Sequence, residues 1–133
     1  MRLSILCPAL IVSAAVSAGC LHTRDFLEPT SPAPISHIVL VRMQDPSKVD
    51  QLIAESVRDL GAIPAVTTLA VGRHLETGRE NIIRDYDVAL YVGFRDTNGY
   101  TAYVDDPRHV AFVERWKPYI SSLDVRDFTD DRR

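Results

Sequence analysis

Ser36-His-Ile-Val-Leu-Val-Arg-Met43, closed by Gln44-Asp45-Pro46, decides how this chain folds. A strand in a sheet that is covered by helices on one side alternates apolar and polar residues. Here both parities are apolar, with Val39 and Val41 on one and Ile38 and Leu40 on the other. The run Asp87-Val-Ala-Leu-Tyr-Val-Gly-Phe94 repeats the pattern, with Val88, Leu90, Val92 and Phe94 against Ala89 and Tyr91. Both faces of the sheet are therefore expected to be buried. A chain this short has nothing else to cover the second face, so a second copy packed sheet to sheet is the simplest cover.

Working outward, Asp45-Pro46 reads as the cap and first residue of a helix. In it Val49, Leu52, Ile53, Val57 and Leu60 make an apolar stripe opposite Lys48, Gln51, Glu55 and Arg58. Gly61 and Pro64 end it. Val66 to Leu75 is expected as a second strand, joined through the turn-prone Glu76–Asn81 region to the third. Asp96 caps a short helix carrying Tyr100 and Tyr103, and Pro107 opens a longer one with Val110, Val113, Trp116 and Ile120 inward. Leu123 to Phe128 supplies the last strand. The order strand, helix, strand, strand, helix, strand is the split βαβ arrangement: an α+β, ferredoxin-like βαββαβ antiparallel sheet with helices on one face.

The ends of the chain read differently. Residues Met1 to Gly19 hold one Arg2, an apolar run from Leu3 to Val16 and the small residues Ser17-Ala18-Gly19 ahead of Cys20. The run is shorter than the roughly 20 residues that span a bilayer and contains Pro8, so it is expected to be an export signal. Ser17-Ala18-Gly19-Cys20 resembles the bacterial lipobox, with Ser17 where that motif usually has leucine. The resemblance implies a diacylglycerol on Cys20 and, because Leu21 is not aspartate, an outer-membrane lipoprotein facing the periplasm. The alternative is an ordinary secretory signal that leaves Cys20 as a free thiol. Cys7 lies inside the signal, so Cys20 would have no disulfide partner in an oxidising compartment. Lipidation removes that unpaired thiol and supplies enough apolar area for stable anchoring. From residue 20 to 35 the chain is polar, with Pro29, Pro32 and Pro34, and reads as a tether. The folded part is expected over 36–128, with a polar tail at 129–133.

The formal charge is −3, one unit more negative once Arg2 leaves with the signal. A mildly acidic domain with no basic stripe excludes nucleic acid as a partner. His37, His74 and His109 fall on separate elements without ligand spacing, so no metal or cofactor is expected. No phosphate-binding glycine loop or nucleophile elbow is present.

The residues with chemistry lie in Tyr103-Val-Asp-Asp-Pro107-Arg-His109-Val110. Asp106 and Pro107 start a helix, so His109 falls in its first turn, where the free N–H groups and the dipole disfavour positive charge. A neutral imidazole there can act as a base. Otherwise His109 and Tyr103 pack and hydrogen-bond beneath the helix start.

From His37 to Phe128 the chain resembles the Dabb, or stress-responsive α/β-barrel, domain. The matching features are His37-Ile-Val-Leu-Val, Ile63-Pro64-Ala65-Val66, Gly72, Tyr86-Asp87-Val88-Ala89-Leu90, Tyr103 with Asp106-Pro107-Arg108-His109-Val110, and Val125-Arg-Asp127-Phe128. The resemblance implies a homodimer whose two sheets form a barrel. Plant members that cyclise linear polyketides use a tyrosine and a histidine that match Tyr103 and His109, the histidine as base, and His37 matches a histidine lining the pocket. Where the family often has His-Pro-x-His, this chain has Asp106-Pro107-Arg108-His109. The leading expectation is a membrane-anchored dimeric module that binds a small apolar or amphipathic ligand at His37, Tyr103 and His109, with no assigned chemistry. Its rival is a cofactor-independent cyclase or monooxygenase-like enzyme in which His109 is the base and Tyr103 the donor.

Overall fold

The computed structural model describes residues 32–131. The proposed signal, Cys20, most of the tether and the last two arginines lie outside the described residues.

Strand β1 runs over Ile35–Met43, and two residues on the Asp45 carboxylate accepts from the Ser47 amide and caps a single turn, Pro46–Lys48. Helix α1 follows at Val49–Glu55 and continues as a wider π turn, Ser56–Leu60. Strands β2 (Thr68–Arg73) and β3 (Val88–Phe94) pair antiparallel. Asp96 accepts from the Gly99 amide to cap α2 (Thr97–Val104), and Asp106 accepts from the Arg108 amide to cap α3 (Pro107–Trp116). After a short turn at Lys117–Tyr119, strand β4 (Ile120–Thr129) returns along β1. The sheet order is β2-β3-β1-β4, antiparallel throughout. This is the ferredoxin-like α+β fold expected from the sequence. Among the described residues no helix is long and apolar enough to cross a membrane.

The core lies between the helices and one sheet face: Val41, Met43, Val88, Leu90, Val92 and Phe94 from the strands meet Leu52, Leu60, Tyr103, Phe112 and Trp116 from the helices. The opposite face carries Ile38, Leu40, Ala89 and Tyr91, all half-buried within the single chain. The two-sided apolar pattern thus has one side filled by the chain's own helices and the other only partly covered.

Four local expectations change. Val57 does not join the α1 stripe: Ser56 and Leu60, at four-residue spacing from Leu52, fill it and Val57 is left 55% exposed. Glu55 is not on a solvated face, because its carboxylate accepts from Trp116 Nε1 at 3.1 Å and forms an ion pair with Arg115, 3.1 Å from Nε. On α3 the buried residues are Phe112 and Trp116, four apart, while Val110 and Val113 are half-exposed and Ile120 belongs to β4. Pro118 stops the helix before it can carry Ile120 inward. Finally, the end of the expected tether packs. Ile35 opens β1, Ala33 is buried, and the Pro32 carbonyl accepts from Thr68 Oγ1. A side chain at Gly93 would collide with Ala33, which explains glycine there.

Candidate functional site

Odd-numbered residues of β1 face the helices, and the register places Asp127 of β4 directly opposite His37. His37 Nδ1 lies 2.6 Å from Asp127 Oδ1. A carboxylate only accepts, so the imidazole donates Nδ1–H and keeps Nε2 as its free acceptor. The Tyr100 hydroxyl donates to Asp127 Oδ2 at 3.2 Å, so both carboxylate oxygens are engaged. His37 is buried, whereas the Asp127 side chain is 45% exposed at the rim.

The capped start of α2 sets Tyr100 and Tyr103 three residues apart on one face. Tyr103 is almost fully buried, with its ring 5.0 Å from Phe94, 6.0 Å from His37 and 4.4 Å from His109. No hydrogen-bond partner for its hydroxyl is present among the described residues, where His74 alone has side-chain atoms both sealed from solvent and unpaired. The Tyr103 oxygen therefore keeps open space in front of it. Burial pushes its pKa far above the ordinary tyrosine range, so it is a donor and not an anion.

His109 Nδ1 lies 3.0 Å from the Val104 carbonyl, the last residue of α2. Because a carbonyl only accepts, Nδ1 carries the proton and Nε2 is again the free acceptor. Burial lowers the His109 pKa, with a smaller push from His37, against the opposing effects of the Val104 bond and Asp106. The imidazole is held neutral, as its place in the first turn suggests, but desolvation is the first cause.

His37, Tyr100, Tyr103 and His109 line one end of a cavity of about 550 Å³, with Asp127 behind His37 and outside the lining. Its walls are apolar, from Val39, Val41, Leu52, Leu90, Phe112 and Trp116. Leu123 and Val125 of β4 line its open side, where they are 54% and 43% exposed because the helices do not reach across the edge strand. His37, Tyr103 and His109 are thus brought together as the sequence suggests. His74 is not: it packs edge-to-face on Tyr86 at 5.2 Å, away from the cavity. Among the described residues no three potential ligands group to hold a metal ion.

The family model described as the stress responsive A/B barrel domain, Dabb, matches residues 35–130. The chain belongs to the Dabb family. Among solved structures, a Dabb family protein with a ferredoxin-like fold from Mesorhizobium loti is 29% identical, with a TM-score of 0.63 over 72% of this chain and 95% of that one. A dimeric ferredoxin-like protein of unknown function from Thermobifida fusca is also 29% identical, with a TM-score of 0.61 over 72% of this chain and 90% of that one. The hydroxynitrile lyase of Passiflora edulis matches at a TM-score of 0.66 over 77% of this chain and 98% of that one; at 18% identity it shares the fold. No curated protein matches the chain at a significant level.

Tyr100 and Asp127 are the site residues that the sequence reading passed over. Asp127 has a signal: it continues the Leu123, Val125 parity of a strand whose partners on β1 are Val41 and Val39, so it is a carboxylate on an apolar face. Tyr100 has only its spacing from Tyr103.

Proposed function

We propose that this Dabb domain is a homodimeric module that holds a small apolar or amphipathic ligand between its helices and sheet. The supporting observation is the cavity itself: about 550 Å³, apolar along its walls, with His37, Tyr103 and His109 gathered at one end. N-phenyl-1-naphthylamine, a neutral apolar dye, should gain fluorescence on mixing with the protein. Val113 stands 43% exposed at the mouth, so Val113→Trp should block uptake without disturbing the core. No dye uptake by the parent protein would overturn the reading.

The dimer rests on the second sheet face, where Ile38, Leu40, Ala89 and Tyr91 form a partly covered apolar surface. Leu40→Glu should convert a dimer into monomers in sedimentation, and a monomeric parent at micromolar concentration would refute the assembly. The anchor rests on Ser17-Ala18-Gly19-Cys20: intact mass of the membrane fraction should show a chain beginning at Cys20 with diacylglycerol, in the outer membrane facing the periplasm. A soluble product unchanged by Cys20→Ser would refute it.

One observation favours the enzymatic alternative. A neutral His109 with a free Nε2 stands against a Tyr103 hydroxyl without a partner, which is the arrangement needed to take a proton beside a carbonyl and donate to the oxygen that becomes negative. A cofactor-independent cyclase or monooxygenase-like reaction is the chemistry this pair fits, and His109→Ala would abolish it.

A further inference from the structure

Two imidazoles share the cavity end, and their surroundings differ. His109 hydrogen-bonds a neutral carbonyl, whereas His37 hydrogen-bonds a carboxylate at 2.6 Å, at the short end for a charge-assisted bond. An imidazole that gains a proton beside a carboxylate becomes half of an ion pair; His109, beside a carbonyl, becomes a half-buried charge with a dipole bonded to it and Asp106 acting only through space. We propose that His37, positioned by Asp127 and Tyr100, is the proton acceptor of this site, and that the cavity takes ligands through a weakly acidic hydroxyl, as in a phenol or an enol. This rests on the reading of the cavity as a ligand site, and it moves the base from His109 to His37.

The charges facing His37 from each neighbouring element support this assignment. Asp127 comes from β4, Tyr100 and Tyr103 from α2, and His109 from α3, with Asp106 acting on His109 from the helix cap. Lys117 also lines the cavity, but at the opposite end of α3 from His109. Among the described residues that line the cavity no cation stands at the polar end, and the Asp127 carboxylate lies behind His37. A carboxylate head would meet repulsion, whereas a neutral hydroxyl finds two Nε2 acceptors and one phenolic donor. In the step itself the ligand O–H bond breaks and the proton goes to His37 Nε2, forming an imidazolium paired with the Asp127 carboxylate. The ligand oxygen keeps the electron pair and accepts from the Tyr103 hydroxyl. Asp127 touches no ligand atom in this scheme, so it is a positioning residue; Tyr100 holds its second oxygen.

The probe is 4-nitrophenol alone, because its phenolate absorbs at visible wavelengths where the phenol does not. It is titrated into the full-length protein at a pH at which the free probe is mostly protonated. The expected result is a phenolate band on binding. The band should be lost in His37→Gln and weakened about tenfold in Asp127→Asn, through loss of the charge-assisted bond to His37, whereas His109→Gln should weaken it less than either. A band lost in His109→Gln and kept in the other two would overturn the assignment and return the role to His109. Uptake of the probe as neutral phenol, or no uptake, would also overturn it, and the naphthylamine dye then decides separately whether the cavity binds ligands at all. Side-chain nitrogen NMR of the unaltered protein needs no variant: His37 should carry its proton on Nδ1, and an Nε2–H tautomer would overturn the proposal.

Discussion

Tyr103 separates packing from ligand chemistry more sharply than any other residue of the site. Its ring is 2% exposed and lies against Phe94, His37 and His109, so Tyr103→Ala removes a filled aromatic site from the core. Such truncations cost about 3–5 kcal/mol. In a domain of this size each kcal/mol moves the melting temperature by about 4–8 °C, so the loss should be on the order of 15–30 °C. Tyr103→Phe keeps every ring contact and deletes a hydroxyl with no hydrogen-bond partner among the described residues. With no bond broken, the expected change is within about 0.5 kcal/mol, or ~3 °C. The same variant should bind hydroxylic ligands more weakly while taking up the naphthylamine dye unchanged. Thermal melts by circular dichroism, run beside the dye titration, read both effects. A fall of more than about 1.5 kcal/mol in Tyr103→Phe would mean that the hydroxyl is tied to the protein, and the argument that it faces the ligand would fail.

His109→Ala should lower stability by about 1–3 kcal/mol, through the lost bond to the Val104 carbonyl and the lost stacking on Tyr103; an unchanged melt would contradict both contacts. Because the His109 pKa is lowered by folding, the unfolded chain takes this proton first on acidification, so stability should be full above the unfolded value of about 6.5 and fall as the pH drops through it toward the folded value. His109→Gln, which retains an N–H donor, should flatten that part of the pH profile in chemical denaturation, and an unchanged slope would argue against the shift. Glu55→Ala leaves the Trp116 indole N–H without its acceptor and should cost about 1–3 kcal/mol, whereas Val57→Ala on the outside of the π turn should stay within ~0.5 kcal/mol; equal effects would restore the simple helical stripe. Gly93→Ala places a methyl 2.5 Å from the Ala33 side chain and 3.2 Å from Thr68 Cβ and should cost about 1–3 kcal/mol, an effect that shrinks, leaving the Thr68 contact, if the segment before Ile35 is first removed.

The fold was legible because its signals are local and repeated. Three aspartate caps, at Asp45, Asp96 and Asp106, each accept the amide expected of them, and strands with two apolar parities leave few arrangements besides a sheet with one face against helices. What was not legible depends on geometry that periodicity does not carry. Ser56 is buried beside Leu52 and Leu60 because its hydroxyl donates to the Leu52 carbonyl, a bond that an apolar count passes over, and Glu55 looks solvated until the indole of Trp116, 61 residues away, is placed against it. The site divides in the same way. Tyr103 and His109 lie six residues apart across a helix start, so the sequence itself pairs them. His37 and Asp127 lie 90 residues apart and meet only through the β1–β4 register. A strand register is long-range information, and it is this register that gives the two histidines different partners. The residue most visible in the sequence, His109, is thus the one with the plainer environment. The carboxylate that distinguishes His37 becomes visible only once the sheet is assembled.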